Sequence, residues 1–291
     1  MRLLSETWEW DETIKLAREL DGSYDKPVIF HCYWTGIPLN ERHLYSVLSC
    51  YYFNVLNRNH KIILWIEGGL KENDITNEIR KYCDIKDFSM GEEKNRSEIN
   101  EVKGTINIKD GKDKRFRADF IRCLLLYNYG GCWFDLDCFF LRSFDPMFRK
   151  FENEVCLYQW TWWNYPNNAI FISLEPKSDK LKDFIVYVKN RSRGWGCQQA
   201  SLTFDLPLDI LVLPAAWFEA THMAKKDPEL YKFHLSSLPF HKPNENIWNF
   251  DNFFKGSFCY HWHNSWTEKI EDGSACKQLV QIINSKMGTN Y

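Results

Sequence analysis

No apolar run in the chain approaches the ~18–20 residues that span a bilayer. The opening stretch MRLLSETWEWDET also lacks the long apolar core of a secretion signal. The expectation is a soluble, non-secreted, cytoplasmic protein without a transmembrane anchor, with peripheral association at a membrane face left open. There is no basic surplus: 37 Lys and Arg stand against 39 Asp and Glu, a net charge of −2. A general nucleic-acid binder carries excess positive charge, so that class is set aside. The ten cysteines contain no C-x-x-C pair, which argues against a structural zinc module. They are dispersed through apolar segments, as free thiols buried in a reducing compartment would be. Neither a phosphate-cradling glycine-rich loop nor G-x-x-x-x-G-K-[ST] occurs, which argues against a nucleotidyl- or phosphotransferase of that kind. Internal repeats, low-complexity tracts and a convincing linker are missing too.

What is present is the material for a core. Of 291 residues, 44% are hydrophobic and 16% aromatic, enough to bury a sizeable interior. Residues 6–20 place Trp10, Ile14, Ala17 and Leu20 at helical spacing. PVIFHCYW (27–34) and KIILWIE (61–67) are β-branched and aromatic, and Pro27 and Gly68-Gly69 punctuate them as strands. Helices are expected over 41–57 and 75–83. This alternation predicts an α/β sheet with parallel neighbours. Residues 84–114 are polar and lysine-rich, expected as an exposed connector or a mobile flap. Beyond them the pattern predicts a helix from Arg115 and a strand through CWFDLDCFF. Further strands are expected over 155–160, 168–174, 208–213 and 257–266, and helices over 178–191, 197–204 and 272–286. One domain over 1–291 is the expectation.

The stretch YGGCWFDLD (129–137) ends an interior-looking run on two carboxylates. On a strand, residues i and i+2 share a face, so Asp135 and Asp137 are expected to project together with Leu136 opposite. Paired carboxylates repel, and burying them alone is costly. A hard divalent ion, Mn2+ or Mg2+, is the natural partner. Ligands of parallel α/β sheets bind at the carboxyl ends of strands. An isolated D-x-D triplet is more often a solvated strand end; here the Gly-Gly pair, the apolar run and the upstream helix make a compound signal. On that helix Asp119 and Arg122 are three apart and share a face. They are either a surface ion pair worth little or groups aimed at a ligand's anion and hydroxyls. His261 and His263 would share a strand face, and imidazole ligates metals or donates to phosphate; a satisfied core histidine is the bland alternative. Trp34, at a strand end, either stacks on a base or fills the core.

Taken together, RADFIRCLLLYNYGGCWFDLD (117–137) resembles the signature of sugar-nucleotide-dependent glycosyltransferases with the DXD motif. The nearest group includes yeast-type initiating mannosyltransferases, capsular-polysaccharide transferases and the glucosyltransferase domains of large clostridial toxins. The pattern is [SA]-D-x-x-R, then L-Y, then G-G-x-[YW]-x-D-x-D, with Ala118 and Trp133 in the variable places. IFHCYWTG (29–36) is similar to the family's first strand and HWHNSW (261–266) to its C-terminal H-x-x-x-S-W. NNAIFIS (167–173) is similar to its acceptor-side strand.

The resemblance implies a nucleotide-binding α/β fold of the A type, a Rossmann-like mixed sheet flanked by helices. It implies transfer of a sugar from a UDP- or GDP-linked donor to a hydroxyl of a glycan, glycoprotein or glycolipid, as in polysaccharide biosynthesis. Mn2+ or Mg2+ would bridge the aspartates and the diphosphate. Asp137 is the firmer metal ligand by this likeness, Asp135 contacts the sugar–ribose side and reaches the metal through water, and His261 with Ser265 and Trp266 closes over metal and diphosphate. Asp119 and Arg122 fall at the donor sugar, and Trp34 with the Tyr33–Gly36 turn at the nucleotide. The catalytic set is thus Asp119, Arg122 and Asp135. Whether His261 or His263 faces the metal is open. The family mostly retains anomeric configuration, by front-face attack of the acceptor hydroxyl; inversion would need a base, for which Asp205, Asp209 and Glu219 are candidates. A non-catalytic carbohydrate-binding protein, with thirteen tryptophans for sugar stacking, is the competing class.

Overall fold

The computed structural model describes residues 1–5, 10–36, 38–99, 114–160, 165–191, 204–219, 240–242, 256–263 and 266–289. In chain order the first half carries β1 (Arg2–Leu3), α1 (Trp10–Glu19), β2 (Ile29–Thr35), α2 (Glu41–Asn54), β3 (Lys61–Glu67), α3 (Asp74–Ile79), β4 (Asp84–Asp87) and α4 (Met90–Ser97). Then come α5 (Lys114–Tyr129), β5 (Gly131–Phe134), β6 (Cys138–Phe140), α6 (Asp145–Lys150), β7 (Val155–Gln159) and β8 (Pro166–Ser173). Last are α7 (Asp179–Arg191), β9 (Leu211–Leu213), a 3-10 turn at Ala215–Trp217, β10 (Cys259–His261) and α8 (Ala275–Met287).

Eight strands form one mixed sheet in the order β1-β9-β7-β8-β5-β2-β3-β4. Strand β8 runs antiparallel to both of its neighbours, while the remaining pairs are parallel. This is the expected α/β class. A second, two-stranded antiparallel sheet joins β6 to β10, with His261 opposite Cys138.

Alternation along each strand sorts side chains to the two faces. On one face Phe30, Cys32, Cys132, Phe134 and Ile172 pack under Leu44, Val47 and Leu48 of α2 and Leu279 and Ile283 of α8. On the other, Ile63, Trp133, Leu157 and Phe171 lie under the α5 stripe of Phe120, Ile121, Leu124 and Leu125, with Leu181 and Phe184 of α7. The nine described cysteines are free thiols, all buried except the partly buried Cys83.

The Gly130-Gly131 pair is required by the turn from α5 into β5. Both have positive φ, +66° and +114°. A Cβ at Gly130 would stand 2.3 Å from the Leu174 carbonyl oxygen, and one at Gly131 2.2 Å from that of Ile29. Gly130 ends the helix in the left-handed conformation, its N–H bonded to the Leu126 carbonyl at 2.8 Å. Buried His31 clamps the same turn: Nε2 bonds the Gly130 carbonyl at 3.0 Å and Nδ1 accepts from the Trp65 indole at 3.1 Å. Burial pushes this imidazole down to about 4, so it stays neutral.

Two elements differ from expectation. CWFDLDCFF is not one strand: β5 stops at Phe134 and the chain turns before β6 starts at Cys138. The Asp135 N–H still keeps the β5/β8 register, bonding the Ala169 carbonyl (2.8 Å), and the Cys138 N–H then closes a turn on the Asp135 carbonyl (3.0 Å). Within the stretch expected as a polar insertion, Asp84–Asp87 is the sheet's edge strand beside β3 and Met90–Ser97 is a helix capped by the Ser89 side chain; residues 100–113 lie outside the described residues. So do residues 197–203 of the helix expected over 197–204. Among the described residues no helix is long and apolar enough to cross a membrane.

Candidate active site

The turn between β5 and β6 carries both aspartates, so they converge through the turn and not by strand alternation. Asp135 faces back toward α5. Its Oδ1 accepts from the Trp133 indole N–H at 2.7 Å and lies 3.2 Å from the Arg122 guanidinium. The same Arg122 nitrogen reaches Asp119 Oδ1 at 3.1 Å. A second Arg122 nitrogen donates to the Asn168 carbonyl and side-chain oxygens at 2.6 and 2.7 Å. Asn168 in turn donates to Asp119 at 3.1 Å, and the guanidinium lies 5.2 Å over the Trp133 ring. The Asp119–Arg122 ion pair is present, but with the Arg122 side chain 5% exposed it is buried and not at the surface. The Arg122 fork is engaged by protein groups, which makes it an organiser of two carboxylates. Burial raises the Asp135 carboxyl above its ordinary value; Arg122 opposes the rise and the Asp137 charge adds to it.

Asp137 faces the other way. Its backbone carbonyl accepts from the Trp262 N–H at 3.0 Å, which ties the turn to the end of β10. Its Oδ2 lies 3.3 Å from His261 Nε2, both side chains being 6% exposed. The opposite ring nitrogen, His261 Nδ1, meets Glu219 Oε1 at 3.1 Å and the Tyr158 hydroxyl at 2.9 Å. Burial alone would lower the His261 imidazolium, but Asp137 and Glu219 on either side raise it well above its usual value. Of the two histidines, His261 therefore faces Asp137. His263 has left the strand: it adopts positive φ (+49°), lies tilted against His261 with ring centres 3.9 Å apart, and bonds Glu219 Oε2 through Nε2.

At the carboxyl end of β2, Trp34, His43 and Trp266 form an aromatic cluster. Trp34 meets His43 at 4.1 Å and Trp266 at 5.2 Å between ring centres, and His43 stacks on Trp266 at 4.8 Å. His43 comes from the first turn of α2, where it bonds reciprocally with the cap residue Asn40. Burial pushes it down to about 3, and the nearby Asp137 charge only partly opposes this. Gly36 follows β2 with φ +92°. The structure does not bring Tyr33 to this cluster. Adjacent strand residues point to opposite faces, so Tyr33 packs on Phe88 at 5.6 Å and its hydroxyl donates to Glu67 at 2.6 Å. Arg117 clasps the same Glu67. Ser265 lies outside the described residues.

Of the carboxylates read as bases for inversion, Glu219 is fully buried and accepts from Tyr158 at 2.7 Å. Asp209 is half exposed and paired with Arg2 and Lys180, and Asp205 acts on the N-terminal ammonium. Asn168, Tyr158 and His43 had no individual signal in the sequence, although Asn168 lies in the NNAIFIS segment. The N-x-x-H spacing of a reciprocal cap was the one available hint for His43.

The donor set fits a divalent ion. Asp137 and His261 offer a carboxylate and an imidazole within reach of one another, and Cys138 joins them in a group whose ligand atoms lie within 4.8 Å. Burial and the neighbouring Cys259 push the Cys138 thiol well up, leaving it a weak, neutral ligand. Oxygen with one imidazole suits Mn2+ better than the all-oxygen preference of Mg2+. A second group, Glu219, His261 and His263, is different. Its internal contacts to Tyr158 and His261, 2.7–3.1 Å, are those of hydrogen bonds.

Over residues 53–155 the chain matches the glycosyltransferase sugar-binding region containing the DXD motif. Among curated proteins none matches it significantly. Among solved structures it is similar to a PaToxG glycosyltransferase, at 12% identity and TM-score 0.42, covering 62% of this chain and 66% of that one. It is also similar to mouse xyloside xylosyltransferase 1 in its apo form (11%, 0.46, covering 84% and 99%). A third is the galactosyltransferase LgtC in complex with donor and acceptor sugar analogs (9%, 0.44, covering 88% and 95%). These likenesses are distant, and the assignment rests on the motif-bearing segment. What the comparisons give this chain is a likeness carried by one segment: residues 53–155 match the DXD-containing sugar-binding region of glycosyltransferases.

Proposed function

We propose that the whole chain is one A-type glycosyltransferase domain that uses a divalent cation, Mn2+ in preference to Mg2+, and a UDP- or GDP-linked sugar. The acceptor is a hydroxyl of a glycan or glycoconjugate, and the anomeric configuration is retained. The observation that carries this reading is the convergence on one turn of Asp135, held by Arg122 and Trp133, and Asp137, held against His261.

Asp137 and His261 would hold the cation, with Asp135 beside them. A bound divalent ion supplies positive charge to offset what builds on a departing diphosphate. The chain's own residues do the rest. Arg122 fixes Asp119 and Asp135 at set positions, so the two carboxylates can accept from sugar hydroxyls without first reorganising. Asp119 keeps 16% of its side chain exposed for that contact. Trp34 and Trp266 supply flat faces for a nucleotide base. The enclosure of Glu219 and the surface pairing of Asp209 weigh against either as a general base, which supports retention.

The test is turnover of a UDP- and GDP-sugar panel by the full chain, with Mn2+, with Mg2+ and with EDTA. Mn2+-dependent release of the nucleoside diphosphate is expected, with transferred sugar keeping its anomeric configuration by proton NMR. Turnover unaffected by EDTA removes the metal role, and an inverted product removes retention.

A further inference from the structure

Glu219 is the least explicable charge in the molecule if it serves packing alone. It is fully buried, 42 residues before His261 and just past the 3-10 turn. The peptide group joining Phe218 to Glu219 is held at both its ends: the Glu219 N–H bonds the Ala215 carbonyl at 2.6 Å, and the His261 N–H bonds the Phe218 carbonyl at 3.1 Å. Carboxylate and imidazole are thus set against each other by main-chain contacts as well as by their own bond.

We propose that Glu219 is the positioning residue of the cation site, accepting the Nδ1 proton of His261 so that the Nε2 lone pair is presented beside Asp137. This rests on the reading of Asp137 and His261 as cation ligands. The distribution of contacts carries it. Glu219 Oε1 takes His261 Nδ1 (3.1 Å) and the Tyr158 hydroxyl (2.7 Å), and Asn167 stands at 3.5 Å. Oε2 takes His263 Nε2. Each of these groups can donate to the carboxylate, so the tyrosine proton is placed toward Glu219 and a proton on His261 Nδ1 completes the arrangement. Nε2 is then the nitrogen at which a cation would take the place of a proton, and it is the one 3.3 Å from Asp137. A carboxylate behind a metal-binding imidazole fixes ring orientation and raises ligand basicity, and its loss costs 10–100-fold in affinity. His263 and Tyr158 hold the carboxylate in turn, so Glu219 cannot rotate away without breaking several bonds.

The test uses the full chain and Mn2+ as probe, with affinity read by electron paramagnetic resonance titration and folding by thermal melting. E219Q is expected to bind Mn2+ roughly 10–100-fold more weakly than wild type, and E219D to recover part of that. H261A should show a similar loss, and E219Q/H261A no more than H261A alone. Because E219Q puts an amide NH2 donor where a buried carboxylate oxygen accepts, nitrogen-15 NMR of histidine-labelled wild type gives a reading independent of the variant's folding: a proton on His261 Nδ1 is expected. Nδ1 without a proton overturns the proposal. Equal Mn2+ affinity in a folded E219Q overturns it while leaving the cation site intact. A wild type that does not bind Mn2+ overturns both.

Discussion

The two aspartates of the D-L-D triplet are two residues apart, yet they belong to different halves of the site. Asp135 looks toward α5 and is held by Arg122, Trp133 and, through them, Asn168 and Asp119. Asp137 looks toward β10 and meets His261, which is backed by Glu219 and Tyr158. The first half is built around a permanently charged guanidinium. The second is built around an imidazole, which must present a lone pair to bind a cation. The difference teaches that the triplet is not a symmetric pair of ligands. One carboxylate is fixed by the protein's own guanidinium; the other meets an imidazole and, on the proposed function, is the one that takes an exchangeable cation.

The sharpest way to break that division is Asp137→Ala. On the reading above it should abolish measurable Mn2+ binding and lower donor turnover by at least about 10³-fold, a loss of about 4 kcal/mol of transition-state stabilisation. Calorimetry and nucleotide-release assays check it, and turnover near wild type would show that the division is wrong. Arg122→Ala attacks the other half and should act on stability as well. It strands Asp119 and Asp135 beside an apolar stripe, and breaking such a buried arrangement costs about 3–5 kcal/mol. Urea unfolding of the cation-free protein measures that cost; Asp137→Ala should show a much smaller change in the same experiment.

A charge cluster away from the aspartate turn supplies a control. Asp145 accepts from Arg58 at 2.8 Å and His60 at 3.0 Å, its side chain 6% exposed. Burial alone would raise its carboxyl, but the His60 and Arg58 hydrogen bonds outweigh that and hold it below the ordinary aspartate value. Asp145→Asn should cost about 2 kcal/mol and leave Mn2+ affinity unchanged. A carboxyl with a depressed folded-state value contributes stability above its unfolded pKa of about 3.9 and loses it as pH falls through the lower folded value. The gap in stability between wild type and Asp145→Asn should therefore be full at neutral pH and close in acid, as read by denaturant midpoints across that range. Smallest of all, Arg2→Ala removes an exposed network with Glu154 and Asp209. It should change stability by less than about 1 kcal/mol, an effect that shrinks further in salt.

Much of this was already legible in residue order. The apolar periodicity of Phe120, Ile121, Leu124 and Leu125 marked the stripe that packs on the sheet, because helical spacing alone decides which side chains share a face. Gly130-Gly131 marked the turn, because backbone crowding there excludes a side chain. The grouping of Asp119, Arg122, Asp135, Asp137 and His261 came from motif likeness, and the structure gathers those five around one turn. Local chemistry could not reveal where β5 ends. That is decided by β10, more than 120 residues further along, which draws Cys138–Phe140 into a second sheet. The same long-range pairing sets His261 against Asp137 and sends His263 backward. It also turns Glu219, which looked like a candidate base, into a buried backing for an imidazole. Sequence order settled which groups are charged, polar or apolar, and which local elements they sit on. Their partners depend on contacts between segments far apart in the chain, which exist only once the sheet has closed.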